Sequence, residues 1–181
     1  VLGLDDDRIT AICNDISAET VVAPANFNAP GQVVIAGHAE AVDKAVTSAK
    51  SAGAKRVVKL PVSVPSHCAL MRPAAKQLAE LLENINIRTP VIPVIHNVDA
   101  RTRQDPKEIL QALIEQLYEP VQWTRCVRAL TADGVSHLLE CGPGKVLGGL
   151  CKRIDRNLLC QPMSEPGDID KARAAVEEEK S

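Results

Sequence analysis

The sequence predicts an α/β protein, and three observations carry that prediction. Helical and strand periodicities alternate along almost the whole chain, the pattern of a sheet flanked by helices. Phe27, Tyr118 and Trp123 are the only aromatic residues, so Val, Leu, Ile and Ala must fill the core, which suits buried parallel strands. The first 63 residues read β-α-β-β-α-β, the ferredoxin-like split βαβ plan.

Residues 1–4 are apolar and read as a strand, and Asp5 is a good N-cap for a helix that repeats Ile9, Ile12, Cys13 and Ile16 at helical spacing. Residues 21–27 and 32–36 are strands. Asn28-Ala29-Pro30-Gly31 between them has turn chemistry, so the pair reads as a hairpin. Residues 39–52 form a helix with Val42, Ala45, Val46 and Ala49 on one face and Gly53 as its stop. Residues 55–62 return as a strand, which completes a small subdomain over residues 1–63.

Residues 64–181 form the second part. A helix runs to about residue 84 with Pro73 near its start and Leu78, Leu81, Leu82 and Ile85 as its stripe. Residues 91–95 are a strand leading into His96-Asn97-Val98-Asp99. Asp105-Pro106-Lys107-Glu108 combines a cap, a first-turn proline and an acidic partner, and starts a helix to about residue 118. Another begins at Pro120 and ends near Gly134. A strand at 136–140, a Gly142-Pro143-Gly144 turn, a helix at 145–153, a strand at 158–163 and a charged tail helix at 171–180 finish the chain.

With 181 residues, of which 45% are apolar, the chain can bury a real core. A formal charge of -2 argues against non-specific binding to nucleic acid or membrane surfaces, which wants a basic excess. So few aromatics also leave little for base stacking. The six cysteines, at 13, 68, 126, 141, 151 and 160, form no CxxC pair, so they read as reduced, mostly packed thiols of a cytoplasmic protein, with no metal site indicated. No apolar run reaches the roughly 18 residues of a membrane span, and no signal-peptide pattern opens the chain. The start at Val1, without Met, reads as the middle of a longer polypeptide.

The chemistry converges on Leu60-Pro61-Val62-Ser63-Val64-Pro65-Ser66-His67-Cys68. This places His67 past an apolar strand, at the mouth of a helix, where ligands bind in open α/β sheets. An imidazole there could take a proton from a hydroxyl or thiol if an oxygen held its other nitrogen. Cys68, about 100° round the helix, reads as packed inward. His38 and His137 take the ordinary structural or surface reading. Gly142-Pro143-Gly144-Lys145 lacks both the first glycine and the Ser/Thr of a phosphate loop, with Leu139 and Val146 in those places, so it reads as a tight turn. Lys55, Arg56 and Lys59 form a local basic cluster suited to an acidic partner or a phosphate. No GxSxG nucleophile elbow is present in the 181 residues.

Four stretches together resemble one family, the malonyl-CoA:acyl-carrier-protein transacylases of bacterial fatty-acid synthesis. They are Asn26-Phe27-Asn28-Ala29-Pro30-Gly31-Gln32-Val33-Val34-Ile35-Ala36-Gly37, Pro61-Val62-Ser63-Val64-Pro65-Ser66-His67-Cys68, Gln116-Leu117-Tyr118-Glu119-Pro120-Val121-Gln122-Trp123 and Glu140-Cys141-Gly142-Pro143-Gly144-Lys145-Val146-Leu147. The resemblance covers residues 1–165.

It implies that residues 64–181 are the C-terminal part of an α/β-hydrolase-like acyltransferase subdomain, with the ferredoxin-like one inserted in it. It implies a malonyl group passed from malonyl-CoA, through an acyl-serine, to the phosphopantetheine thiol of acyl carrier protein. His67 matches the family's general base, and the main-chain carbonyl of Gln116 is expected to hold its other nitrogen. The serine and a carboxylate-binding arginine belong to the family's part preceding Val1, so this chain alone is expected to be inactive. Malonyl-CoA is a substrate in this scheme and no cofactor is implied. Where His96 stands the family commonly has a polar residue such as Asn. An acyltransferase domain of a polyketide-type synthase and a catalytically silent carrier-protein-binding module are the alternatives.

Overall fold

A computed structural model describes residues 1–17 and 20–178 of the chain. They divide into two compact units, Val1–Cys126 and Val127–Ser181. The boundary expected at residue 63 lies inside the first of these.

In the first unit, α1 (Asp6–Ile16) starts where the Asp5 carboxylate accepts the Arg8 amide at 2.7 Å. The hairpin follows as β1 (Val22–Ala29) and β2 (Gln32–Gly37), antiparallel from Val22↔Gly37 to Ala29↔Gln32. The turn is therefore only Pro30-Gly31, two residues tighter than the sequence suggested, with Gly31 at φ 70°. At Gly37 a Cβ would stand 2.1 Å from the Val21 carbonyl oxygen, so this strand end admits only glycine. Next, α2 (Ala39–Ser51) is introduced by His38, whose Nδ1 accepts the Val21 amide at 3.0 Å, a structural use of that histidine.

Ala41, Ala45 and Ala49, one turn apart, are fully buried, and packed with Ile9, Ile12, Cys13, Val22 and Val33 they make the core of this layer. Ala45 and Ala49 of the predicted face are thus buried, joined by Ala41, while Val42 and Val46 are half-buried beside them. Small side chains there let α2 and α1 approach closely over the sheet.

The first and last strands of the ferredoxin-like plan are reduced to bridges. Leu2 pairs antiparallel with both Gln32 and Arg56, so the order across the sheet is Arg56, Leu2, β2, β1 with every neighbour antiparallel. The strands expected at 1–4 and 55–62 are not formed beyond those bridges. Pro61 and Pro65 withhold amide donors, and among the described residues nothing pairs with residues 57–63.

A single 3₁₀ turn, Ala69–Met71, leads into α3 (Arg72–Leu82). Of its predicted stripe Leu82 is buried, whereas Leu81 and Ile85 are exposed. The strand expected at 91–95 is also corrected. Only β3 (Ile95–His96) forms, paired with β4 (Arg101–Thr102) in a two-residue ladder, and Val91 is 99% exposed. In that hairpin the Asp99 carboxylate accepts two bonds from Arg103, at 2.7 and 3.1 Å, and one from the Arg101 amide. Then α4 (Pro106–Glu115) begins where the Asp105 carboxylate accepts the Lys107 amide at 2.7 Å.

The chain returns to the hairpin after α4. Val121 exchanges main-chain bonds with Ala25 and Phe27, and the Thr124 hydroxyl donates to the Phe27 carbonyl. The boundary between the units falls inside α5 (Trp123–Ala132), which starts three residues after Pro120.

In the second unit β5 (His137–Cys141) leads into α6 (Val146–Ile154), and β6 (Leu159–Met163) lies parallel to β5. This is the one parallel ladder between strands among the described residues, beside the isolated parallel bridge of Asn26 with Val121. The Glu140 carboxylate accepts the Leu147 and Gly148 amides, both at 3.0 Å, and those bonds hold its pKa below the usual carboxylate value. The first-turn donors of α6 are thereby occupied by the protein's own anion, which agrees with a turn rather than a phosphate loop. The last helix, α7 (Pro166–Glu178), begins five residues before the predicted start, and residues 179–180 of the predicted helix lie outside the described residues.

Candidate active site

His67 stands in the left-handed region of backbone space, at φ 62°, which is uncommon for a residue with a Cβ. Two consecutive carbonyls hold it there. The His67 amide donates to Leu117 O at 3.0 Å, and its Nδ1 lies 2.7 Å from Gln116 O. A carbonyl oxygen only accepts, so Nδ1 carries the proton in this bond. The neutral ring then has its lone pair on Nε2, the tautomer a general base requires.

The carbonyl pair is available because of how the loop after α4 is built. Gln116 and Leu117 close the helix by main-chain bonds to Ala112 and Ile114, and their own carbonyls point out of the ladder toward His67. Gln116 lies 49 positions after His67 in the sequence. The structure brings them together, with His67 ahead of the turn into α3 and Gln116 at the end of α4.

Around the imidazole lies a cavity of about 470 Å³ lined by Ser66, His67, Met71, Leu78, Leu82, Asn97, Leu113, Gln116 and Leu117. Its wall is mainly apolar, from the facing sides of α3 and α4. Beyond Ser66, His67 and Gln116, the polar residue of the lining is Asn97. Its Oδ1 is buried without a hydrogen-bond partner, while its main-chain carbonyl accepts the Gln122 amide. Sequence reasoning passed over Asn97, Leu113 and the Leu117 carbonyl, and only the polar Asn97 after an apolar run carried a signal.

Neighbouring Cys68 points inward. It is buried, its thiol donates to Pro65 O at 3.2 Å, and burial pushes its pKa up despite a bond from the Leu70 amide, which favours the inert thiol over the thiolate. His96 is buried one residue before Asn97, and burial, with the Arg103 charge added, holds its pKa below the ordinary imidazole value. That favours a neutral ring with a packing role. His137, at the start of β5, lies beside the Ser136 hydroxyl at 3.1 Å.

The basic cluster is divided among separate contacts. Lys59 forms an ion pair with Asp43 of α2, the stem of Lys55 lies over Gly3, and Arg56 is fixed through its backbone to Leu2. All three side chains remain exposed. Among the described residues no group of three His, Cys, Asp or Glu side chains is placed to hold a metal ion. No helix among them is long and apolar enough to cross a membrane.

A histidine held by a main-chain carbonyl, in a mixed α/β fold, can be set against known proteins. No protein-family model matches the sequence. The malonyl CoA-acyl carrier protein transacylase of Salmonella typhimurium is 52% identical over 172 residues, covering 95% of this chain and 56% of that protein. This chain resembles the malonyl CoA-acyl carrier protein transacylases. The crystal structure of one such transacylase, from Xanthomonas oryzae pv. oryzae, superposes with a TM-score of 0.93 at 50% identity, covering 97% of this chain and 56% of that one. A malonyl-transacylase solved in complex with its type II PKS acyl-carrier protein gives 0.92 at 48% identity, covering 95% and 56%. The chain thus spans a little over half the length of the transacylases it matches, and its α/β architecture is theirs.

Proposed function

We propose that this chain belongs to an enzyme that moves a malonyl group from malonyl-CoA to the phosphopantetheine thiol of acyl carrier protein. Support comes first from the clamp on His67, which selects the Nδ1–H tautomer and leaves a basic Nε2 at an apolar cavity. The names of the similar transacylases supply the substrate class. In this scheme a serine hydroxyl attacks the malonyl thioester carbonyl as His67 takes its proton. The oxyanion then collapses, the C–S bond breaks, and coenzyme A leaves as a thiol after receiving that proton. The second half repeats the steps with the carrier's thiol attacking the acyl-serine ester.

Gln116 O orients the imidazole and stabilises its charged form, as an Asp does in a triad. The serine, and an arginine for the malonyl carboxylate, come from a segment upstream of Val1. Lys55, Arg56 and Lys59 are assigned to docking the acidic carrier protein. No cofactor is needed for this chemistry, and the cytoplasm is its proposed place.

The test is single-turnover labelling with radioactive malonyl-CoA, using the chain joined to the upstream segment, the same protein with His67→Ala, and the 181-residue chain alone. The joined protein should acquire label, and His67→Ala should slow this by roughly 10²–10⁴-fold, the usual worth of a general base. The chain alone should acquire none. Near-normal acylation of the His67→Ala protein would remove the histidine from the mechanism. Labelling of the chain alone would place the nucleophile within it.

A further inference from the structure

Next in sequence to the His67 cavity wall is a cation that the scheme above leaves unused. Arg72 follows Met71, and Tyr118 follows Leu117, both cavity-wall residues. The Arg72 guanidinium lies over the Tyr118 ring at 4.2 Å from its centre. Stacking of this kind fixes the plane of the guanidinium while its edge keeps its N–H donors. Its acidic neighbour does not use them up, since the Glu119 carboxylate is 3.7 Å from the nearer nitrogen, beyond hydrogen-bond range, and the Arg72 side chain is 61% exposed. Lys76, one turn on along the same face of α3, is exposed and has no ion-pair partner among the described residues.

We infer that Arg72, supported by Lys76, binds the phosphate at the far end of the pantetheine arm of the thioester substrate. The inference rests on the malonyl-transfer reading and adds to it the contact that positions the arm. A phosphate monoester or diester offers several oxygens to a planar, pre-oriented guanidinium edge, the pairing at which arginine is strongest. The placement suits the arm's far end rather than the reacting carbonyl. Arg72 is five residues beyond His67, across the 3₁₀ turn at Ala69–Met71, and its side chain is 61% exposed, so it is set apart from the imidazole and open to solvent. Because the donor and the acceptor of the malonyl group both carry phosphopantetheine, one such contact would serve both half-reactions.

The experiment compares malonyl-CoA, malonyl-phosphopantetheine and malonyl-pantetheine as donors to the full-length enzyme that contains this chain, in wild-type, Arg72→Ala and Arg72→Lys forms. Arg72→Ala should raise KM for the two phosphorylated donors by roughly 5- to 10-fold, the scale of one charge-assisted contact at a partly exposed site, with little change in kcat. For malonyl-pantetheine, which has no phosphate, kcat/KM should move less than about twofold, a comparison that also controls for folding. Arg72→Lys should recover only part of the loss, because an ammonium keeps the charge but not the planar edge that stacks on Tyr118. An equal loss on all three donors, or no loss on any, would overturn the inference and leave the transfer reading standing. A loss confined to malonyl-CoA would overturn it too, in favour of the nucleotide's phosphates. Failure of the wild-type enzyme to transfer malonyl from any donor would remove the transfer reading and this inference with it.

Discussion

The apolar positions of residues 1–57 and those of the two stretches at 58–64 and 91–94 have opposite fates. In the first region the apolar positions find partners: Ile9, Val22 and Val33 are 2% exposed or less, closed between two helices and a hairpin. In the second, Val58, Leu60, Val62 and Val64 alternate as a strand would and are each at least half exposed, as are Val91, Ile92 and Val94. The difference teaches that period-two patterning describes a surface to be covered, whereas a strand also needs a neighbouring backbone for its N–H and C=O groups. Exposed aliphatic surface of this extent marks a place where another surface packs. On the proposed reading it is what the upstream segment covers.

The sharpest way to break this comparison is a large-to-small change in the closed region. Ile9 is nearly fully buried among Ile12, Cys13, Val33 and the α2 alanines, and Ile9→Ala should cost about 2–5 kcal/mol, as lost transfer energy plus a cavity. Urea unfolding of the two proteins side by side measures it. A cost below about 1 kcal/mol would mean that residues 1–57 are not the closed core described here.

This contrast also marks how much could be read in advance. Asp5, Asp105 and Pro106 announced their helices because caps act through bonds to residues two or three positions away, and the hairpin and the Gly142-Pro143-Gly144 turn are local for the same reason. His67 stood out by its place after an apolar run. Its left-handed backbone, the Leu117 carbonyl and the cavity wall from α4 were hidden, because each depends on a loop some 49 residues away along the chain. Gln116 was reached through resemblance alone, since a main-chain carbonyl leaves no mark in side-chain chemistry. The strands expected at 55–62 and 91–95 fail for the converse reason: both stretches are apolar enough to read as strands, but pairing is decided by what lies beside them.

A middle-sized effect sharpens the comparison at the edge of the open stretch, where β3 and β4 end the exposed run. There the Asp99–Arg103 pair is part-buried and doubly bonded. Burial pushes the Asp99 pKa up, but the bonds and charge of Arg103 outweigh it, so the net shift is downward from 3.8. A carboxyl depressed on folding contributes stability that is fully present above its unfolded pKa and lost as pH falls through the folded one. Asp99→Asn should therefore cost about 1–2 kcal/mol at pH 7, as loss of a charge-assisted pair does. The gap between wild type and variant should persist down to about pH 4 and close below it. Urea midpoints measured from pH 7 to pH 2 follow this directly. A gap that stays constant to pH 2 would show that the residue acts through shape and not through its charge.

The smallest effect is expected where the sequence looked most strand-like. Ile92 is 77% exposed and lies outside every paired element among the described residues, so Ile92→Ser in the chain alone should shift the unfolding free energy by no more than about 0.5 kcal/mol. The same substitution in the full-length enzyme tests what covers the surface. If the upstream segment packs on residues 91–94, the isoleucine is buried there, and the cost should rise to about 2 kcal/mol or more, from lost apolar burial and an added hydroxyl. The rise between the two settings isolates the covering surface, because every contact within the chain is common to both. A cost that is small in both proteins would mean that this apolar stretch stays open in the complete enzyme, and the division drawn between closed and waiting regions would have to be redrawn at β3.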